Sequence, residues 1–290
     1  MLSSINDRSR YTGTMAKHFL NGQIVSEDQL VISPRDIGYS RGYGVFDFLR
    51  TYGQRPFKLV EHVDRLFRSA ELIGLAVPWG KDEVIEWVTQ TLAANPDGEE
   101  KFIKIMLSGG ISNTMLPAET PTIIILVDSA VQYPAELYSR GVDLITVKYT
   151  RYSPEAKSNN YIEGVKQMQR AHATGAAEPL YYSDEQVYEG SNSNVFAVIG
   201  GQLVTPKSHI LGGITRSVLL DILHDDTSVT VRDFTIDELR AASEVFLSAS
   251  GKEIVPVTQL DGRPVGDGAV GQVTREVMRR WQAYTASGEW

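Results

Sequence analysis

The stretch PTIIILVDSAVQYPAELYSRGVDLITVKY, residues 121–149, decides the fold. It opens on an unbroken apolar run, Thr122 to Val127, of the kind that fills the middle of a sheet. The pattern pauses around Tyr133-Pro134 and restarts as a second strand-like run from Val142. A pause between two such runs reads as a link between separate units, placed at residues 131–141. The fold class is therefore α+β with mixed sheets in two domains, a smaller one over residues 15–130 and a larger one over 142–290.

Upstream, HFLNGQIV (18–25) is a hairpin signal around Asn21-Gly22, and residues 43–60 read as two more strands around Gly53. EHVDRLFRSAELIGL (61–75) then changes to helical period, with Val63, Leu66, Phe67, Ala70 and Ile73 on one face. A second amphipathic helix, from Lys81 to Asn95, leads into the strand KFIKIML (101–107). Downstream of the link, short strands at PLYYS, NVFAVI, QLVTP and EVFLSAS alternate with turns. Helices are expected after Asn160, Ile214 and Asp237, and one more before the C-terminus.

The chain has 290 residues, 42% of them hydrophobic and 22% charged, which are globular values. A net charge of −8 speaks against a nucleic-acid binder, which needs a basic face. No run reaches the roughly 18 apolar residues that span a membrane. The absence of cysteine removes thiol chemistry and is compatible with a cytoplasmic protein. The five histidines are scattered without metal-site spacing, so no metal is expected. Residues 1–14 are polar, lack the apolar core of a signal peptide, and read as a native extension or a cloning remnant.

Four stretches could carry chemistry, and each also has an ordinary reading. In SPEAKSNNYIEG (153–164), Lys157 precedes a helix start at which Asn160 and Glu163 fit an N-cap with its reciprocal partner. By itself Lys157 reads as a solvated lysine. In VYEGSNSNVF (187–196), Glu189 ends a strand and faces a polar turn that could be a plain hairpin loop. In ILGGITRSVLLDIL (210–223), two glycines run into a helix beginning at Ile214 and Thr215, a weak signal for a phosphate cup. FLSASGKEIVPV (246–257) ends a strand in Ser248, Ser250 and Gly251.

Taken in order with EHVDRLFRSA, these stretches resemble the class IV aminotransferases, the fold-type IV enzymes that use pyridoxal phosphate. The resemblance covers about residues 15–282. It implies a cofactor held between two α+β domains of a homodimer, with amino acids and 2-oxo acids as substrates. By the same resemblance Lys157 is the Schiff-base lysine, Glu189 bonds the pyridine nitrogen, and Arg65 grips the phosphate with Ile214, Thr215 and Ser250. Tyr161 would stand near the phenolic oxygen, and Ser191 and Asn192 beside the cofactor. Phe46 and Gly251 would face the substrate. The chemistry suits these residue types. An amine forms the imine and later moves the α-proton, a carboxylate keeps the pyridinium protonated, and a guanidinium with a helix N-terminus suits a dianion.

Departures from the family bear on substrate. DIGYSRGYGVFDFLR (36–50) has Arg41 where an aromatic is common and Asp47 where a glutamate is common. LSGGISNTML (107–116) lacks the arginine and histidine of bacillus-type D-amino-acid aminotransferases. The F-E-G pattern of the branched-chain enzymes is also replaced, by Phe46-Asp47-Phe48. Arg41 is then the expected carboxylate fork, often across the dimer interface in this family. Its setting is similar to that in a less typical group of D-amino-acid aminotransferases. The expected activity is transfer of an amino group from a D-amino acid to a 2-oxo acid. A branched-chain L-amino-acid aminotransferase is the alternative, ahead of an (R)-amine transaminase or an aminodeoxychorismate lyase.

Overall fold

The computed structural model describes residues 16–224 and 229–290; the extension over residues 1–14 lies outside them. The first sheet contains β1 (Lys17–Leu20), β2 (Gln23–Ser26), β3 (Gly44–Tyr52), β4 (Arg55–Pro56), β5 (Lys101–Ser108) and β6 (Thr122–Ser129). Their order is β2-β1-β6-β5-β3-β4, so the apolar run of β6 is flanked on both sides. The β1–β2 turn is made by Asn21 and Gly22, both at positive φ, the geometry that favours Asn-Gly in a two-residue hairpin. Helix α1 (Ile37–Arg41) precedes β3, while α2 (Leu59–Leu72) and α3 (Lys81–Ala93) cover one face of this sheet. Val63, Leu66 and Ala70 of α2 are buried there with Val45 and Leu49 of β3, and Phe67 and Ile73 are partly covered. Each fully buried aliphatic side chain stabilises by about 1.5–3 kcal/mol.

After α4 (Ala135–Ser139) comes the second sheet. It contains β7 (Val142–Lys148), β8 (Glu178–Ser183), β9 (Gln186–Gly190), β10 (Asn194–Ile199), β11 (Gln202–Thr205), β12 (Val229–Val231), β13 (Glu244–Ala249), β14 (Glu253–Leu260) and β15 (Arg263–Pro264). Strand β9 pairs with β8 and also meets β10 at Glu189–Asn194. Among the described residues β10, β13, β14, β7, β8 and β9 therefore run in a closed ring. Leu144, Leu180, Val187, Val195, Val245 and Val255, one from each of these strands, are buried in one cluster and fill it. On the other face α6 (Ile214–Ile222) and α8 (Gln272–Ser287) cover the stacked pair Phe196 and Phe246. Two further helices, α5 (Ile162–Ala173) and α7 (Ile236–Arg240), complete the described α-helices. None of the described helices is long and apolar enough to cross a membrane.

Strand alternation sets up the site. Along β3, Val45, Asp47, Leu49 and Thr51 point into the α2 side and are fully buried, which leaves Phe46, Phe48 and Arg50 on the opposite face. The segment before α5 departs from the expectation of an Asn160 cap. Tyr161 occupies the N-cap position without a side-chain bond, and the Glu163 carboxylate accepts from Lys166 and Gln167 instead. The segment is held by backbone pairing with the start of β3. Phe46 N donates to Lys157 O, Asn159 N donates to Gly44 O, and Val45 bridges Ser158. That strand-like tie fixes the backbone path, and the cap is not needed.

Candidate active site

Between the two sheets lies a cavity of about 680 Å³. Arg65, Lys157, Tyr161, Glu189, Ser191, Asn192, Ile214, Thr215 and Ser250 line it, together with Phe46 and Gly251. The exception among the expected residues is Arg41. It is exposed at the end of α1 and is not part of this wall, although Gly38 of the same helix is.

Lys157 enters from the segment tied to β3, and its backbone N–H donates to Ser69 Oγ of α2 at 3.1 Å. Its Nζ stands 4.8 Å from the Phe46 ring centroid. Burial, reinforced by the neighbouring Arg65 charge, pulls its pKa down to about 8, against the pull of Asp47 and Glu189. The amine is thus partly neutral at physiological pH. In cofactor-free protein an amine-reactive reagent should modify Lys157 with a midpoint near pH 8. Exposed lysines should label with midpoints above about 10. A Lys157 midpoint in that higher range would contradict its desolvation.

Glu189 sits where β9 meets β10, its backbone paired with Asn194. Its Oε1 accepts from Arg151 Nε at 2.8 Å, and its Oε2 accepts from the Leu211 N–H at 2.8 Å. Burial pushes the Glu189 carboxyl up, while Arg151, the Leu211 N–H and Lys157 act to keep it ionised. Arg151 is therefore part of the site, although nothing in the sequence marks it. It lies 38 positions from its partner in a loop without any motif.

Arg65 projects from α2. Its Nε and Nη2 form a two-bond fork to Asp47, both at 2.8 Å, and its Nη1 donates to Gly212 O at 3.1 Å. His62 Nδ1 lies 2.6 Å from the same Asp47 carboxylate. Burial alone would raise Asp47, but Arg65 and His62 outweigh it and hold the carboxyl well below the usual range. The bond to Gly212 brings the guanidinium to the glycines ahead of α6, whose first turn begins at Ile214 and Thr215. The opening N–H groups of such a helix have no acceptor within it and face an anion favourably. A Cβ at Gly213 would collide with Asn194 Oδ1, so a glycine is required for this close approach. Arg216 turns away and braces Thr205 and Pro206.

The turn carrying Ser191 and Asn192 rests on Glu178, which is buried on β8. Its Oε1 accepts from the Asn192 N–H at 3.0 Å and from Ser193 Oγ at 2.6 Å. Lys252 pairs with Glu178 at 3.5 Å. Tyr161 packs against Phe46 with ring centroids 5.7 Å apart, and burial raises its phenol, which stays protonated at neutral pH. Ser248 Oγ is buried on the cavity wall without a partner. Of the residues missed from sequence, Asp47 did carry a signal. A carboxylate at a core-parity position within VFDFL must meet a buried cation.

A desolvated lysine, a fixed carboxylate and a cup for an anion in one cavity define an enzyme that works on amines through a phosphate-bearing cofactor. The chain belongs to the class IV aminotransferases, pyridoxal-phosphate enzymes, whose family profile matches residues 44–260. It is 34% identical over 280 residues to the D-alanine aminotransferase of Staphylococcus aureus (strain MSSA476), covering 94% of this chain and 99% of that one. It is 32% identical to a putative branched-chain-amino-acid aminotransferase of Methanocaldococcus jannaschii, covering 92% and 95%. The branched-chain aminotransferase of Thermoproteus uzoniensis with norvaline superposes with a TM-score of 0.88 at 27% identity, covering 95% and 96%. The donor set fits the cofactor. The Arg65 guanidinium and the glycine approach to α6 offer donors at one end, Ser248 offers a hydroxyl without a partner among the described residues, and Glu189 offers an acceptor.

Proposed function

We propose that this chain transfers the amino group of D-amino acids to 2-oxo acids. The observation that carries the site is the convergence of Lys157, Glu189 and Arg65 on one cavity. The relative at 34% identity supports the D-preference, as does the Arg-Gly-Tyr-Gly-Val-Phe-Asp-Phe run from Arg41 to Phe48. When bound, pyridoxal phosphate supplies an electrophilic carbonyl and a ring that withdraws electrons from the substrate α-carbon. In this reading Lys157 Nζ would hold the cofactor and then carry the proton released by the substrate α-carbon to the cofactor's carbonyl carbon. Glu189, paired with Arg151, would accept a hydrogen bond from the ring nitrogen. Arg65, Thr215 and the N–H groups at the start of α6 hold the phosphate with Ser250. Tyr161 donates to the cofactor's phenolic oxygen, and Ser191 and Asn192 border it. Phe46 and Gly251 bound the substrate side and exclude water.

We also propose a homodimer, and the two sheets as two domains linked by residues 131–141. Asp36 bridges Ile111, which joins two loops bearing the exposed apolar side chains Val31, Ile32, Ile111, Met115 and Leu116. Such a cluster needs a covering partner. Arg41, exposed at the end of α1 and absent from the wall of this cavity, would act on the cavity of a second copy.

Single-turnover half-reactions with D-alanine, D-glutamate, L-leucine and (R)-1-phenylethylamine test the substrate reading. D-alanine or D-glutamate should exceed L-leucine in kcat/KM by about 100-fold or more. Faster reaction with L-leucine would transfer the assignment to the branched-chain alternative, which the superposition on the Thermoproteus uzoniensis enzyme favours. Pyruvate released without an amino acceptor would indicate a lyase.

A further inference from the structure

We propose that Lys104 takes the substrate's α-carboxylate, so that the chain supplies its own internal cation for the amino acid. The proposal rests on the aminotransferase reading above.

Alternation along β5 buries Lys101, Ile103, Ile105 and Leu107 and leaves Lys104 on the opposite face. There it lies opposite Phe48 of β3 and forms part of the cavity wall. Its Nζ stands 4.7 Å from the centroid of the Phe46 ring, the same ring that carries Lys157 Nζ at 4.8 Å. The two amines share one aromatic ring and one cavity, so a substrate held at Lys157 lies within the same enclosure as Lys104.

The pairing of charges in the cavity points the same way. Arg65 is taken by Asp47, Arg151 by Glu189 and Lys252 by Glu178. No carboxylate among the described residues is paired with Lys104, and burial lowers its pKa. A desolvated ammonium without a counter-charge is costly, and an anionic ligand at that spot offsets the cost. With the cofactor phosphate placed at Arg65 and α6, the remaining anion is the carboxylate that every amino acid and 2-oxo acid carries beside its reacting carbon. Arg41 makes no such contact within its own chain.

Lys104→Met keeps the volume and removes the charge; Lys104→Arg keeps the charge. In the holoenzyme, Lys104→Met should lower kcat/KM for D-alanine about 100-fold, mostly through KM, as expected for a lost charge-assisted contact. Turnover of (R)-1-phenylethylamine, which lacks the carboxylate, should change less than about 3-fold, and Lys104→Arg should retain most of the D-alanine activity. Calorimetric binding of propionate to the holoenzyme should weaken in step with the D-alanine loss. Equal losses for both amines, or unchanged propionate binding, would overturn the assignment. A loss confined to D-glutamate would also overturn it, by placing a side-chain carboxylate at Lys104. Should the wild type prefer L-amino acids, L-alanine replaces D-alanine. Propionate binding reports on Lys104 even where the wild type turns over neither enantiomer, so failure of the substrate reading and failure of this proposal are distinguishable.

Discussion

Replacing Lys157 with alanine is expected to lower kcat by about 10⁴-fold or more, since one amine both holds the cofactor and moves the α-proton. The structure makes the loss specific. The segment bearing Lys157 is tied to β3 through backbone atoms at Phe46, Lys157, Gly44 and Asn159, and side-chain truncation leaves these bonds in place. The variant should therefore fold and still bind pyridoxal phosphate through Arg65, Glu189 and the start of α6. It should lack the near-visible absorption of the covalently held cofactor. A small primary amine added in solution should restore part of the half-reaction by replacing the missing base. An active Lys157→Ala enzyme that retains the absorption band would remove Lys157 from its assigned role.

The second large effect is expected at Asp47. The carboxylate is fully buried, compensates the Arg65 charge and lies 2.6 Å from His62 Nδ1. Asp47→Ala leaves two buried basic groups around a void, and breaking such a pair costs about 3–5 kcal/mol. Urea unfolding should show the loss directly, and pyridoxal phosphate should bind more weakly because Arg65 loses its two-bond fork and keeps its bond to Gly212 and a 3.4 Å contact with His62. The pH dependence has a definite sign. Asp47 is held below the ordinary carboxylate range when folded, so its stabilisation is complete above the unfolded-state value near 4. It fades as pH falls below that value toward the depressed folded one. The wild type should thus lose more stability than Asp47→Ala on acidification through this window. Parallel losses, or a destabilisation under about 1 kcal/mol, would show that the charges at α2 and β3 are not coupled as the distances indicate.

Asp47 also shows where sequence and structure part. Alternation in VFDFL places it on the core side, so a buried partner is implied, but neither His62 nor Arg65 can be named from spacing along a strand. The two basic residues lie one turn apart on α2, 15 and 18 positions away. For Lys157 the position is legible in the sequence and the cause is not. Asn160 and Glu163 have cap spacing, yet the backbone of residues 157–159 is already satisfied by β3, and Glu163 is drawn to Lys166 and Gln167. Arg41 is legible as a departure in the motif, but its side chain is exposed and is not among those that line the cavity of its own chain.

By itself the sequence determined what depends on near neighbours. The Asn21-Gly22 hairpin, the apolar face of α2 and the helix start at Ile214 follow from local backbone preference and hydrophobic period, and the order of the motifs carries the family resemblance. Only the tertiary structure decided which charges meet. Arg151 reaches Glu189 across 38 residues and Ser69 fixes the Lys157 backbone across 88. Among the described residues no carboxylate pairs with Lys104, which stands 4.7 Å from the centre of the ring it shares with Lys157. These contacts arise because closure of the β-ring and packing of the two sheets bring distant segments together. Burial then turns each pairing, and each missing partner, into a free energy large enough to direct chemistry.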